Sequence, residues 1–185
     1  MNTGDYGLEL KFCRAEQSVQ VQDGTRIEGY ASLFGLPDQG GDVVQKGAYA
    51  ASLKRLIARG GSVKMLWQHD PAQPIGVWDE IYEDERGLYV KGRLLLEVER
   101  AREAAALIGA GAIDGLSIGY RTVAAEKNAK GQRLLAELEL WEVSLVTFPM
   151  LKEARVEAKG ESLDAGALRD LAAALKDATA ELAGR

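Results

Sequence analysis

The chain has 185 residues, 46% apolar and 28% charged, the make-up of a folded domain with a sizeable core rather than of a disordered polymer. A formal net charge of −5, with both signs mixed along the sequence, argues against a nucleic-acid binder, and no apolar run approaches the roughly 18 residues that a bilayer span needs. One cysteine, Cys13, excludes an internal disulfide and fits a reducing compartment, while one histidine, His69, leaves a zinc site short of ligands and any imidazole mechanism with a single candidate.

The N-terminus lacks the basic and apolar segments of a secretion signal, so the chain reads as soluble and not secreted. Leu8–Phe12 alternates apolar and polar side chains as a half-buried strand does; Val19–Val21 and Arg26–Phe34 are further strand candidates. Pro37–Asp42 gathers turn formers into a glycine-rich loop. Its Asp38 and Asp42 are too few for a calcium cage and read as a solvated loop or a flap over substrate.

From Gly47 to Arg59 the apolar residues Tyr49, Leu53, Leu56 and Ile57 recur at helical spacing, and Gly60-Gly61 stops the run. Val63–Gln68 reads as a strand ending at His69-Asp70-Pro71. Ile75–Tyr82 and Leu88–Leu96 flank Glu83–Gly87 as a hairpin. Glu99–Gly109 is helical, with Ala104, Ala105, Leu107 and Ile108 on its apolar side. Leu116–Val123 and Arg133–Phe148 are strand-like, joined by the polar Lys127–Gly131. Trp67, Trp78 and Trp141 read as core or rim aromatics.

After Pro149 the composition turns to Ala, Lys and Glu, with Leu168, Leu171, Leu175 and Leu182 at heptad-compatible spacing. Residues 1–150 are therefore expected to form the domain and 151–185 a helical, mobile tail. The predicted fold is α+β, a small antiparallel β-barrel or sheet core with flanking helices.

Gly115-Leu116-Ser117-Ile118-Gly119 matches the G-x-S-x-G pattern of α/β-hydrolases, but Tyr120–Val123 continues as a strand where that fold needs a helix. The histidine also precedes the serine, the reverse of the hydrolase order. The chemistry survives without the fold, because serine triads are defined by roles and recur in several chain orders. Ser117 needs a base, and His69 is the only imidazole.

The carboxylate behind His69 has four candidates: Asp70, Asp114, Glu139 and Glu142. Asp70 adjoins His69, so in an extended segment the two would point to opposite faces. Along Leu138–Val146 the apolar alternation shifts phase after Leu140. Glu142 then falls among Trp141, Val143 and Leu145, where a carboxylate needs a partner, while Glu139 reads as a solvated face. Glu142 is favoured. Cys13, on the polar side of its strand, is the weaker nucleophile candidate.

Five segments, Gly29–Phe34, Gly47–Tyr49, Leu66–Asp70, Gly115–Tyr120 and Trp141–Pro149, resemble in order and interval the signature blocks of the prohead proteases of tailed bacteriophages. That resemblance spans Ile27 to Pro149 and implies a fold like that of the herpesvirus assemblin proteases. It implies a serine endopeptidase with Ser117, His69 and Glu142 as catalytic residues. Arg121 and backbone amides near Ser117 are candidates for the oxyanion hole. It also implies cleavage of the scaffolding segment of the major capsid protein, self-cleavage, self-association, and action inside the assembling prohead in the bacterial host cytoplasm. No cofactor or metal is expected. The rival readings are a non-catalytic assembly factor on the same fold and an unrelated serine esterase.

Overall fold

The computed structural model describes residues 25–38 and 40–148, together with the backbones of the strand segments 9–13, 19–22 and 156–157. The strands are β1 (Glu9–Cys13), β2 (Val19–Gln22), β3 (Arg26–Leu33), β4 (Asp42–Val44), β5 (Lys64–Trp67), β6 (Asp70–Glu83), β7 (Gly87–Leu94), β8 (Gly115–Lys127), β9 (Arg133–Val146) and β10 (Val156–Glu157). Helix α1 (Ala50–Ala58) separates β4 from β5, and α2 (Glu99–Gly109) separates β7 from β8. They form one curled sheet in the order β1-β8-β9-β5-β6-β7-β3-β2-β10, with β4 paired to β9.

Most pairings are antiparallel, as the α+β reading expects, but β9 takes both β4 and β5 as parallel partners and β10 runs parallel to β2. The mixed character follows from α1. A helix between β4 and β5 returns the chain to its starting side, so both strands run in the same direction along one edge of β9. Three-residue β4 starts at Asp42, the last residue of the expected loop, and is too short for a period to be seen.

Strand β9 is the spine. One edge pairs with β8 along the whole length, and the other is shared end to end by β4, the start of α1 and β5. In the gap between β4 and β5, the amides of Leu138 and Leu140 donate to the Ala48 carbonyl and to Ser52 Oγ, each at 2.9 Å. Helix α1 and the turn leading into it thus satisfy main-chain donors that would otherwise be buried without partners.

Leu53 and Leu56 of α1 face the core, whereas Ile57, expected with them, is exposed. The helix stops where the glycines predict: Gly60 is at φ +64°, and the amides of Gly60 and Gly61 return to the Ile57 and Leu56 carbonyls. Helix α2 buries Ala101, Ala104 and Ile108 and leaves Leu107 at the surface.

The core, which includes Ile27, Met65, Ile75, Leu116, Ile118 and Leu138, fills the inner face of the curl. Leu116, Ile118 and Tyr120 of β8 and Val143 and Leu145 of β9 belong to it. Strand alternation therefore turns Ser117, Gly119, Glu142 and Ser144 to the opposite face. Of the expected tail, only Val156–Glu157 is described, as a strand; the heptad leucines lie outside the described residues. No described helix is long and apolar enough to cross a membrane.

Candidate active site

The site is assembled by register. In the β8–β9 pair, Ser117 lies directly opposite Ser144 and Gly119 opposite Glu142. Opposed residues in an antiparallel pair keep their Cβ atoms about 4.5–5.5 Å apart. Strand β5 adds a third column, Lys64 beside Glu142 and Leu66 beside Ser144. Next to the Gly119–Glu142 pair the register skips Trp141, a β-bulge that leaves the indole partly exposed. This bulge is the phase shift seen in the sequence after Leu140. It puts Glu142 on the face of Ser117 without disturbing the core contacts of Val143 and Leu145.

His69 arrives from the far side of β5. Trp67 pairs with Asp70, so Gln68 and His69 form a two-residue hairpin turn, both at positive φ, +51° and +62°. That is the conformation a type I′ turn requires, and one that residues other than Gly, Asn, Asp and His seldom adopt. The turn is clamped at Gln68: its amide donates to the Leu145 carbonyl at 2.9 Å, and Nε2 donates to Thr147 Oγ1 at 2.6 Å. The sequence reading ends the strand at His69-Asp70-Pro71. Instead β6 begins at Asp70 and absorbs Pro71 and Pro74 at register shifts against β5.

His69 Nδ1 lies 2.6 Å from Glu142 Oε1, both side chains being buried. A carboxylate only accepts, so Nδ1 carries the proton and Nε2 is the basic nitrogen. The other carboxylate oxygen, Oε2, accepts from Ser144 Oγ at 2.6 Å, and Ser144 Oγ accepts from the His69 amide at 3.1 Å. Ser117 is fully buried beside this group. Gly119 makes the room: a Cβ there would stand 2.2 Å from Glu142 Oε1.

Two of the other acidic candidates, Asp70 and Glu139, are engaged elsewhere. Asp70 accepts from the Ala72 amide at 2.9 Å and from Gln73 Nε2 at 2.6 Å, and the Gln73 bond foremost holds its carboxyl below the usual range. The adjacency argument against Asp70 assumed an extended segment; the turn is what separates it from the imidazole. Glu139 accepts from Arg121 Nε and Nη2 at 2.9 and 2.6 Å. Both line a surface cleft of 630 Å³ together with Lys64 and Trp141, with the Arg121 guanidinium engaged by Glu139. Asp114 stands in the connection between α2 and β8.

Asp42 forms a two-bond ion pair with Arg133, and Asp38 caps the Asp42 amide, so these carboxylates brace the loop. No group of three or more metal-ligating side chains occurs among the described residues. Cys13 pairs with Leu116 at the end of β1. Trp78 is buried and donates to the Val143 carbonyl at 3.3 Å, while Trp67 lies under the Arg100 guanidinium. The sequence reading missed Ser144. A serine inside an apolar strand looks like any small core residue, and only the fold brings it to His69.

Residues 13–168 match the family described as caudovirus prohead serine protease. The chain is 30% identical over 154 residues to the prohead protease of Enterobacteria phage HK97, covering 82% of this chain and 67% of that protein. Its fold is similar to that of the bacteriophage T4 capsid assembly protease, at a TM-score of 0.59 and 18% identity, over 77% of this chain and 98% of that one. The varicella-zoster virus protease superposes less well, at a TM-score of 0.37 and 13% identity, over 69% and 60% of the two chains.

Proposed function

The chain belongs to the caudovirus prohead serine protease family, a family of capsid-maturation serine proteases, and from that premise we propose that Ser117 is its nucleophile, His69 the general base and Glu142 the acid that orients the base. The observation that carries this reading is the 2.6 Å bond from His69 Nδ1 to a buried Glu142 carboxylate, on the face that Ser117 shares.

The reaction is acyl transfer. His69 Nε2 takes the Ser117 proton as Oγ attacks the scissile carbonyl, and the buried Glu142 carboxylate stabilises the imidazolium that forms. His69 then gives that proton to the leaving amine, and an acyl-enzyme remains on Ser117. Water, deprotonated by the same nitrogen, attacks the ester, and His69 returns that proton to Ser117 Oγ as the acid product leaves. Every proton movement is handled by His69 with Glu142 behind it.

The substrate is the scaffolding segment of the major capsid protein, cut within the assembling prohead, with later cleavage of the protease itself. The names of the HK97 and T4 relatives support this assignment. Self-association fits an enzyme confined with many copies of its substrate.

Co-expression with the cognate major capsid protein, comparing wild type with Ser117→Ala by gel and intact mass, tests the reading. A capsid protein shortened only in the presence of wild type supports it. Full-length capsid protein with both would favour a non-catalytic assembly factor. Shortening with both would remove Ser117 from the nucleophile's role.

A further inference from the structure

The hydroxyl of Ser144 has no part in the reaction as written, yet it is fully buried and bonded to both residues that move or stabilise the proton. The directions of its bonds are fixed. A main-chain amide can only donate, so Ser144 Oγ accepts from His69 N. Glu142 Oε2 can only accept, so the Ser144 proton goes there. With Glu142 Oε1 on His69 Nδ1, the three residues close a cycle that starts and ends on His69.

We infer that Ser144 is a positioning residue for the proteolytic reaction: it fixes the rotation of the Glu142 carboxylate and the seat of His69, so that the imidazole presents Nε2 toward Ser117. This rests on the triad proposed above. Two features make the hydroxyl necessary. Glu142 can swing about its side-chain torsions unless its second oxygen is also held, and Ser144 holds it. His69 sits at φ +62°, a conformation uncommon outside glycine, and the bond from its amide to Ser144 is one restraint that holds it there.

The same cycle separates the two opposed serines. Ser144 has its proton committed to Glu142 and a lone pair committed to an amide. Ser117 stands opposite it across the β8–β9 pair.

The test uses the full chain with Ser144→Ala and Ser144→Thr, followed by cleavage kinetics on a peptide substrate. A second readout is NMR of the imidazole, which needs no assignment by elimination because His69 is the only histidine. In Ser144→Ala, kcat is expected to fall by about 10- to 100-fold with KM changed less than about twofold, the pattern of lost alignment rather than lost binding. Ser144→Thr, which keeps a hydroxyl, recovers most of kcat.

In a Ser117→Ala background, where no self-cleavage intervenes, the hydrogen-bonded His69 Nδ1 proton signal is present with Ser144 and broadened or lost without it. Unchanged kcat and an unchanged imidazole signal in Ser144→Ala would overturn the inference. Should Ser144→Ala not fold, Ser144→Cys, close in volume but a weak donor, is read the same way, and a wild-type signal overturns the inference there too. If Ser117→Ala itself retains cleavage, the triad fails, while the imidazole signal still reports whether Ser144 holds His69.

Discussion

The Glu142 carboxylate occupies the space that a side chain at position 119 would take, its Oε1 only 2.2 Å from an ideal Cβ on Gly119. The second glycine of the G-x-S-x-G segment is therefore a steric requirement of the acid, not of a nucleophile elbow. A carboxylate at the end of a flexible side chain would ordinarily move aside, but this one is tied to His69 and Ser144. Gly119→Ala must break one of those bonds or shift β8 against β9. The expected result is a loss of about 1–3 kcal/mol in stability and a kcat lower by on the order of 10²-fold. Combining it with Glu142→Gln checks the mechanism: the double variant should be little worse than Glu142→Gln alone, because both changes remove the same interaction. Additive losses would place the effect of the alanine elsewhere.

The three residues proposed as the triad should differ in their costs. Ser117→Ala and His69→Ala are each expected to lower kcat by on the order of 10⁶-fold, and combining them should add little, since they act as a unit. Glu142→Gln keeps the volume but offers no second acceptor equivalent to a carboxylate; a loss on the order of 10²–10⁴-fold is expected. Single-turnover cleavage followed by mass spectrometry measures all three. Wild-type kcat in Glu142→Gln would end its assignment.

Arg121 gives a prediction of the opposite kind. Both of its bonds go to Glu139 at a half-exposed site, and exposed ion pairs contribute about 0–1 kcal/mol. Arg121→Ala should leave kcat within about threefold of wild type. A loss of a hundredfold in the same peptide assay would return the guanidinium to the oxyanion hole.

How much of this was legible depends on how local each signal is. The phase shift after Leu140 was visible in the sequence and is the Trp141 bulge, so the residues themselves singled out Glu142 from Glu139. The order of the strands was not legible, nor the parallel joins to β9, because they depend on where α1 returns the chain. The turn at Gln68-His69 was not legible because Gln68 carries none of the Asn, Asp or Gly signals of a type I′ turn. Ser144 was invisible for a different reason. Its bonds reach across 75 residues to the His69 amide and 2 residues along its own strand to Glu142, and no spacing rule connects the three.

The left-handed turn itself can be tested. At φ +51°, Gln68 pays a conformational cost that glycine would not, while its side chain clamps Thr147. Gln68→Val adds a β-branched side chain in that region and should lower stability by about 1–3 kcal/mol and activity with it. Gln68→Gly trades relief of the backbone against loss of two exposed hydrogen bonds to Thr147 and should stay within about 1 kcal/mol of wild type. Urea denaturation of both variants measures the difference. Equal losses would mean that the amide clamp, not the backbone conformation, holds the turn.

The first of the five sequence blocks contributes stability rather than chemistry, and pH is the means to see it. Tyr30 of β3 donates its hydroxyl to Asp84 in the β6–β7 turn, with the Arg86 guanidinium over its ring. Burial first, then the bond to Asp84, push the Tyr30 phenol up to about 12, and burial followed by Glu28 does the same to Tyr89. On Asp84, burial acts to raise the carboxyl, but bonds from Tyr30 and from the Arg86 and Gly87 amides outweigh it and hold it below 3.8. The signs follow from which state keeps the proton. Between pH 10, where an unfolded tyrosine ionises, and about 12, the folded chain retains protons the unfolded chain has lost. The phenols' contribution is thus complete below pH 10 and disappears as pH rises through about 12. Asp84 works at the other end: its contribution is present above 3.8 and is lost as pH falls through its lowered value. Tyrosinate absorbance of Tyr30→Phe should show one fewer late-ionising phenol than wild type, and the variant should flatten the alkaline fall in urea stability. If Tyr30→Phe leaves the late-ionising absorbance unchanged, the Tyr30–Asp84 bond does not tie β3 to the β6–β7 turn in solution.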